Sequence, residues 1–395
     1  VPTPTPTPVP TPTPTPVPTP TPTPVPLTYW PMFGYDPGHT GYNSEETTLD
    51  ATNVAGLQPF WSQGIVTETQ VSSPSIIDDT LYVESGEGVL YALNADTGAI
   101  IWTCPTGEQA NSYSTPAFYN NTVFVGSPDG KLYAVDAIEG TVKWTYWTSG
   151  KVNGSPVVDN DTVYFQSSEQ TLYAIDATTG VFKWACVPPL SKRLDWSGSP
   201  VTSNGIVYFV ASHSVNVSAD IWESMSILYA VNADVGTPLW EYYFSTGVNR
   251  EPVVADGLVY NLCGNELYAF DAYTGVVKWV HSSMEGTKAS PIVVYGNRVY
   301  FVSNDSIYAI ENNYGTYVWH ADVSSYGQLS AGNGVIYSLI YGGPYIIALD
   351  LATGNFLWQS ELLGAVSNSS VVVIADGKLY ISMSDGIVQA FSPSS

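Results

Sequence analysis

Short, mainly apolar stretches recur along the chain from residue 57 onward, separated by turns rich in Asn, Asp and Gly. In one such unit, residues 155–158, 162–165 and 172–176 predict three strands, and a fourth strand carries Trp184. Asn, Asp and Gly accept the left-handed backbone of a tight hairpin, which puts a turn at residues 159–161. Each unit is therefore predicted to be a four-stranded antiparallel sheet.

The unit repeats about every 40 residues, and a tryptophan in the fourth strand marks each copy. The marker tryptophans stand 39 to 42 residues apart, with one interval of 56, at Trp61, Trp102, Trp144, Trp184, Trp240, Trp279, Trp319 and Trp358. Repeats of this length with four strands each are typical of propeller blades. The last unit lacks a fourth strand, whereas residues 57–63 form one with no partners ahead of it. The pattern predicts an all-β, eight-bladed propeller (residues 57–395) whose last blade is closed by the N-terminal strand.

The first 26 residues differ from the rest, because they read VPTPTPTP three times before Val25 and Pro26. Proline at every second position removes amide donors and excludes helix and sheet, so we expect an extended polyproline II segment of roughly 80 Å. Alternating Thr and Pro is also the composition of O-glycosylated stalks, although a plain linker is the alternative. The candidate O-glycosylation sites are Thr3, Thr5, Thr7, Thr11, Thr13, Thr15, Thr19, Thr21 and Thr23. Residues 27–56 then form a lead-in segment.

The formal net charge is −24, from 35 acidic and 11 basic residues. Nucleic-acid binding needs Lys and Arg to displace phosphate counterions, so no nucleic-acid partner is expected, and no apolar run predicts a membrane span. The three cysteines are widely separated and are interpreted as buried thiols. Candidate N-glycosylation sequons, which favour an extracellular or cell-surface location only weakly, lie at Asn120, Asn153, Asn160, Asn216, Asn304 and Asn368.

The motif Ala-x-Asp-x-x-Thr-Gly-x-x-x-Trp, which runs from Ala174 to Trp184, resembles the tryptophan-docking motif of quinoprotein alcohol dehydrogenases. The lead-in from Trp30 to Tyr42 is similar to a segment that precedes such pyrroloquinoline-quinone-like propellers. The resemblance implies the propeller fold in a family that includes both enzymes and non-catalytic scaffolds such as the outer-membrane assembly lipoprotein. For the enzymes it further implies a quinone, a calcium ion, a catalytic Asp and often a vicinal disulfide. No adjacent cysteines occur and no Asp matches the catalytic one, so no cofactor, metal or catalytic residue is predicted.

One blade is irregular, because the interval from Trp184 to Trp240 holds 16 extra residues. Four of them fall in the connection that enters blade 4 and twelve in the hairpin between its second and third strands. Antiparallel strands alternate in direction, so both insertions are expected on one face, where loops commonly bind partners. The candidate partner-binding residues are Lys192, Arg193, Trp196, His213, Trp222 and Arg250. The alternative is a loop folded over the channel mouth around Trp196 and Trp222.

Three functions fit these patterns. The first is a non-catalytic extracellular structural protein that self-associates into a fibre with glycans on the stalk. The second is a binding module for a protein or glycan partner, displayed on the stalk. The third is a quinone-dependent dehydrogenase, which accounts for the motif but lacks the expected chemical groups.

Overall fold

The structure is a computed structural model that describes residues 29–66, 70–107, 114–189, 198–218, 221–244, 251–264, 266–282, 292–303, 305–340, 344–364, 366 and 370–393. At residues 29, 213–218, 221–225 and 326–327 it describes the backbone alone. The N-terminal elements are β1 (Tyr29–Trp30), β2 (Tyr42–Asn43), a 3-10 turn (Val54–Gly56) and β3 (Leu57–Gly64).

Four blades follow in sequence order, each built from four consecutive strands. Blade 1 contains β4 (Ser75–Ile77), β5 (Thr80–Ser85), β6 (Val89–Asn94) and β7 (Ile100–Pro105). Blade 2 contains β8 (Ala117–Tyr119), β9 (Thr122–Gly126), β10 (Lys131–Asp136) and β11 (Val142–Trp147). Blade 3 contains β12 (Val157–Asp159), β13 (Thr162–Gln166), β14 (Leu172–Asp176) and β15 (Phe182–Cys186). Blade 4 contains β16 (Val201–Ser203), β17 (Ile206–Ser218), β18 (Ile221–Asn232) and β19 (Pro238–Phe244).

The remaining blades repeat the arrangement. Blade 5 contains β20 (Val253–Ala255), β21 (Leu258–Cys263), β22 (Glu266–Asp271) and β23 (Val277–Ser282). Blade 6 contains β24 (Val293–Tyr295), β25 (Arg298–Ser303), β26 (Ser306–Glu311) and β27 (Tyr317–Asp322). Blade 7 contains β28 (Ser325–Gly332), β29 (Val335–Ile340), β30 (Tyr345–Asp350) and β31 (Phe356–Glu361). Blade 8 contains β32 (Val372–Ala375), β33 (Lys378–Ser382) and β34 (Ile387–Pro393).

The N-terminal strand β3 completes blade 8 by pairing antiparallel with β34, from Leu57 opposite Pro393 to Gly64 opposite Ile387. The described strands therefore form eight antiparallel blades, and the predicted eight-bladed propeller with its N-terminal closure is confirmed. This pairing covers the edge of β34, which would otherwise be open to strands of other chains. The junction between blades 8 and 1 is also hydrogen-bonded, because the Ser382 hydroxyl donates to the Ser72 carbonyl.

The turn between the first and second strands of most blades has the left-handed backbone that the Asn, Asp and Gly residues predicted. Asp78, Asn204, Asp256, Asn333 and Asp376 all have φ between 44° and 52°. The turn between the third and fourth strands is held by an acidic side chain, as Asp176 shows: its Oδ1 accepts the Thr179 amide at 2.9 Å and the Thr179 hydroxyl at 2.7 Å. These repeat acids are turn caps, as the sequence indicated.

Side chains from neighbouring blades form the core. The second and third strands are buried almost throughout, whereas the outermost strands alternate between exposed and partly buried positions. The marker tryptophans lie between blades; for example, the Trp184 indole donates to the Ala233 carbonyl of blade 4 at 2.9 Å. In the described part of the chain, no helix is long and apolar enough to cross a membrane.

Candidate interaction face and central channel

The hairpin between β17 and β18 of blade 4 is about twice as long as its counterparts. These strands have 13 and 12 residues, against five or six in the equivalent strands of blades 2 and 3. Pairing continues beyond Ser212 and Ser226 to the pair of Ser218 and Ile221. At about 3.3 Å per residue, this two-stranded extension projects roughly 20 Å. Most of the extra residues in blade 4 therefore form an antiparallel β-ribbon, with one register shift between Asn216 and Ser218.

The base of the ribbon is fixed by hydrogen bonds to blade 3. The Gln166 side-chain amide donates to the Val210 carbonyl at 3.0 Å, and its Oε1 accepts the Gly198 amide at 2.8 Å. The Ser212 amide donates to Gln170 Oε1 at 2.9 Å. Gly198 directly follows the inserted connection into blade 4, so Gln166 contacts chain next to both insertions. Gln166 therefore holds both the chain that follows the first insertion and the chain that leads into the ribbon.

The candidate partner-binding residues are placed only partly by the structure. His213 and Trp222 lie on the ribbon, where the backbones pair His213 with Met225 and Asn216 with Trp222. Lys192, Arg193, Trp196 and Arg250 lie outside the described residues. The proximity of these six residues stays a prediction.

The candidate glycosylation sites are likewise placed only in part. Asn120 and Asn160 are exposed in left-handed turns of blades 2 and 3, and Asn153 is half-buried. Asn216 lies on the ribbon backbone. Asn304, Asn368 and all nine candidate O-glycosylation threonines lie outside the described residues, and so does the predicted polyproline II segment. Modification at these positions stays a prediction.

Residues 29–46, which we call the channel plug, follow the inner edge of the ring. Strand β1 pairs with β4 of blade 1, and β2 pairs with β28 of blade 7. Between them, carbonyls of the plug accept amides from the first strands of blades 2, 4, 5, 6 and 7. These bonds, of 2.7 to 2.9 Å, are Phe118 to Pro31, Thr202 to Pro37, Val254 to Gly38, Val294 to Thr40 and Ala331 to Gly41. Sequence analysis identified this stretch as a lead-in but did not predict that it bonds to the first strands of the blades.

The plug also contacts the two blades that this pattern omits. Met32 packs into the hydrophobic cluster that contains Val157 and Val158 of blade 3. The Asn43 side-chain amide donates to the Ile374 carbonyl of blade 8 at 2.7 Å. A Cβ on Gly38 would come within 2.3 Å of the Val254 carbonyl, so glycine is needed for this close approach. The plug therefore joins the inner edges of all eight blades.

A buried histidine faces a small cavity beside the plug. His39 is 3% exposed, neither ring nitrogen has a hydrogen-bond partner, and burial lowers its pKa to about 3. The cavity, lined by His39, Phe33, Glu251 and Gln328 among others, has a volume of about 20 Å³. That is room for one water molecule. A tricyclic quinone needs a far larger site, so this part of the channel does not fit one.

The other groups that a quinoprotein enzyme would use do not assemble among the described residues either. Cys104, Cys186 and Cys263 are buried free thiols in different blades, and burial raises the pKa of Cys104 and Cys186. Within the same residues, no three His, Cys, Asp or Glu side chains come together as metal ligands. No catalytic step is therefore derived through such a cofactor.

Two groups of curated proteins are similar in sequence. Outer membrane protein assembly factor BamB of Salmonella typhimurium is 29% identical over 367 residues, 88% of each chain. BamB of Yersinia pestis is 27% identical over 200 residues, and the match spans 43% of this chain and 49% of that protein. A quinoprotein ethanol dehydrogenase of Pseudomonas aeruginosa is 26% identical over 132 residues, 30% of this chain and 21% of the enzyme. With the Yersinia protein, the match thus spans only about half of the relative's length.

Solved structures share the fold at low sequence identity. BamB from Moraxella catarrhalis matches with a TM-score of 0.65 at 17% identity, over 86% of this chain and 98% of that one. A europium-containing methanol dehydrogenase matches with a TM-score of 0.76 at 15% identity, over 92% and 98%. The family model described as outer membrane protein assembly factor BamB matches residues 45–225, 223–306 and 303–395. Because these matches cover most of the chain, it belongs to the BamB family of pyrroloquinoline-quinone-like propellers.

Proposed function

We propose that this protein is a non-catalytic, protein-binding propeller of the cell envelope, and that the ribbon of blade 4 is its main contact with a partner. The observation that carries the proposal is the long extension of β17 and β18 beyond the ring. A two-stranded ribbon has an edge on each side, and among the described strands none pairs with the ribbon beyond Ser226. Partner strands commonly add to such edges.

The family supports the same proposal. The BamB relatives are named as outer membrane protein assembly factors, which associates this propeller type with protein partners in the cell envelope. The dehydrogenase alternative has weaker support, because the quinoprotein ethanol dehydrogenase of Pseudomonas aeruginosa aligns over 21% of its length and the cavity beside His39 is too small for a quinone.

More specifically, we propose that the protein is exported to the cell surface, carries glycans on residues 1–26 and self-associates as the subunit of a fibre. It is supported by the Thr-Pro repeat and by the acidic charge of −24, which keeps an exported protein soluble. A stalk-displayed monomer that binds a protein or glycan partner is the alternative at this level.

The ribbon is tested by site-specific photo-crosslinking in the native host. A photoreactive amino acid replaces Trp222 on the ribbon or, as the matched control, Tyr314, which is 75% exposed at an outer turn of blade 6. We expect a discrete crosslinked protein from position 222 and none from position 314. Equal crosslinking at both positions, or none at 222, contradicts the proposal.

A truncation separates binding from folding. Residues 213–225 are replaced by an Asn-Gly turn that joins Ser212 to Ser226, which face each other across the hairpin. Since the removed residues lie beyond the sheet that β19 completes, the melting temperature should hardly change while the partner is lost from co-purified material. Partner recovery that survives this truncation would place the contact elsewhere.

A further inference from the structure

An open groove lies between blades 2 and 3, on the face where second strands join third strands. The turn at residues 128–130 forms one side, the connection 147–151 forms the floor, and Ser168 and Glu169 form the other side. Its volume is about 480 Å³, within the range of small-molecule sites. The described residues that line it do not include residues of the ribbon of blade 4.

Trp147, at one end of this groove, has no role in the propeller repeat. It is 66% exposed and follows the marker Trp144 by three positions. The other blades carry unrelated residues at this position: Gly64, Pro105, Val187, Tyr243, Ser282, Asp322 and Glu361. Packing between blades therefore does not require a tryptophan here, and an exposed indole is a common anchor for ligands.

Polar groups beside the indole are held in fixed positions. Asp129 Oδ2 accepts the Lys131 ammonium at 2.7 Å and the Tyr133 hydroxyl at 2.8 Å, and the Lys131 ammonium lies 4.2 Å from the Trp147 ring centroid. On the opposite side, Glu169 Oε1 accepts the Tyr173 hydroxyl at 3.1 Å. These contacts fix the indole and both carboxylates before any ligand arrives.

The backbone of the groove is fixed as well. The Thr148 amide donates to the Gly130 carbonyl at 2.8 Å, and the Ser168 amide donates to the Lys151 carbonyl at 2.7 Å. A Cβ on Gly150 would come within 2.7 Å of the Ser168 hydroxyl, so the two turns lie in close contact. A preformed groove of this kind loses little conformational entropy when it binds a ligand.

We propose that this groove binds a neutral carbohydrate, with one sugar ring stacked on the face of Trp147 opposite Lys131 and its hydroxyls bonded to Asp129, Glu169 and Lys151. An indole face complements the apolar C–H face of a sugar ring, while carboxylates accept and ammonium groups donate hydrogen bonds to hydroxyls. The two carboxylates are balanced by Lys131 and Lys151, so the groove itself carries no net charge. An anionic glycan would also be repelled by the overall charge of −24.

The test is isothermal titration calorimetry of the full chain with neutral tetrasaccharides of glucose, mannose, galactose and N-acetylglucosamine, and with tetragalacturonate as an anionic probe. We expect at least one neutral tetrasaccharide to bind and tetragalacturonate to bind more weakly. Trp147→Ala should weaken binding roughly tenfold, which corresponds to the loss of one aromatic stacking contact. Glu169→Gln should also weaken it.

Tyr243→Ala is the matched control, because Tyr243 occupies the same position in blade 4 and is 53% exposed. It should leave sugar binding unchanged, as should the truncation of the ribbon, which keeps this test independent of the proposed function. The inference is overturned if no neutral tetrasaccharide binds at about 10 mM, if Trp147→Ala leaves binding unchanged, or if tetragalacturonate binds more tightly. Melting temperatures of all variants establish that they are folded.

Discussion

Seven indoles of the ring rest on a glycine of the next blade. In blade 3, a Cβ built on Gly180 would lie 2.7 Å from Cδ2 of Trp144, and Gly180 also has a φ of +72°. The other pairs, with Cβ positions 2.3 to 2.7 Å from the ring, are Gly98 with Trp61, Gly140 with Trp102, Gly236 with Trp184, Gly275 with Trp240, Gly315 with Trp279 and Gly354 with Trp319. The glycine of the repeat motif is therefore required by its contact with the tryptophan of the neighbouring blade as well as by the left-handed turn.

Gly180→Ala is expected to lower the free energy of unfolding by about 3 kcal/mol. Left-handed backbone costs a non-glycine residue about 1–2 kcal/mol, and displacing the buried face of Trp144 adds a similar amount. Gly257→Ala is the matched control, because Gly257 has a φ of +76° but no atom within 4 Å of its Cβ position. Urea unfolding measures both variants, and equal losses would show that the contact with Trp144 contributes nothing.

His39 gives the stability of the channel plug a pH dependence. Its pKa is about 3 in the folded chain and 6.5 in an ordinary environment, because burial disfavours the charged ring. Between these values the unfolded state binds more protons, so stability falls as the pH falls from 6.5 towards 3. Glu84 acts in the opposite direction, because burial raises its pKa. The folded state therefore loses stability as the pH rises above the ordinary pKa of a glutamate side chain.

The contribution of His39 is isolated by comparison with His39→Asn, since Asn tolerates the left-handed φ of 55° and does not titrate. Between pH 6.5 and 3, the wild type should lose up to about 1.4 kcal/mol per pH unit more than the variant. Melting temperatures from pH 7 to pH 4 measure the difference. Parallel pH profiles for the two proteins would refute this role for His39.

At the scale of elements, the strands were predictable because the blades repeat and turns rich in Asn, Asp and Gly separate the strands. In blade 3 the predicted strands 162–165 and 172–176 correspond to β13 and β14, whereas the predicted strand 155–158 begins two residues before β12. Strand ends were harder to predict, because the innermost strands are only three or four residues long in most blades. The ribbon of blade 4 was located in the sequence as an insertion. The pairing of its two strands could not be predicted, because no other repeat offers an equivalent segment for comparison.

The channel plug could not be predicted, since many of its contacts with the blades are backbone hydrogen bonds, which leave no hydrophobic period in the sequence. Its buried residues include Trp30, Met32, Phe33 and Tyr35. A signal was present in the sequence, because these large residues and the close-packing Gly38 lie together in a segment too short to form a core by itself. Only the structure shows that the ring supplies that core.

A chain that begins at residue 47 is expected to unfold more readily than one that begins at residue 29. The shorter chain keeps β3 but loses the pairing of β1 and β2 with the ring. It also loses five further backbone hydrogen bonds to the plug, each with a net worth of about 1 kcal/mol, and the burial of Trp30 and Tyr35. The expected loss is therefore at least about 5 kcal/mol. Urea unfolding of the two truncated chains measures it.

The chain that begins at residue 29 also serves as the control for removal of the Thr-Pro repeat, and it should match the full-length protein. If both truncated chains unfold at the same urea concentration, the plug does not stabilise the ring. A loss already present in the chain that begins at residue 29 would assign the effect to residues 1–28 instead.

For the whole molecule, eightfold repetition fixes the architecture but leaves function to the departures from it. The ribbon of blade 4 and Trp147 of blade 2 are such departures, and each stands out by comparison with seven equivalent positions. The interaction face was predicted as a surface because the alternating strand direction is expected to bring both insertions to one face, and this stays a prediction. Its individual contacts could not be predicted, since they depend on loop conformations that no repeat determines.

The route of the N-terminal segment also has a mechanical consequence. A force applied to the residues before Tyr29 would act first on the plug, at its pairing with blade 1. It would then load the backbone hydrogen bonds of the plug one blade at a time, as far as blade 7. These bonds would break in succession, as in unzipping, so only a small force acts on each. The strand that closes the ring, β3, begins at Leu57 and carries no load until the plug has been drawn out. The propeller can therefore yield length under tension while its ring stays closed.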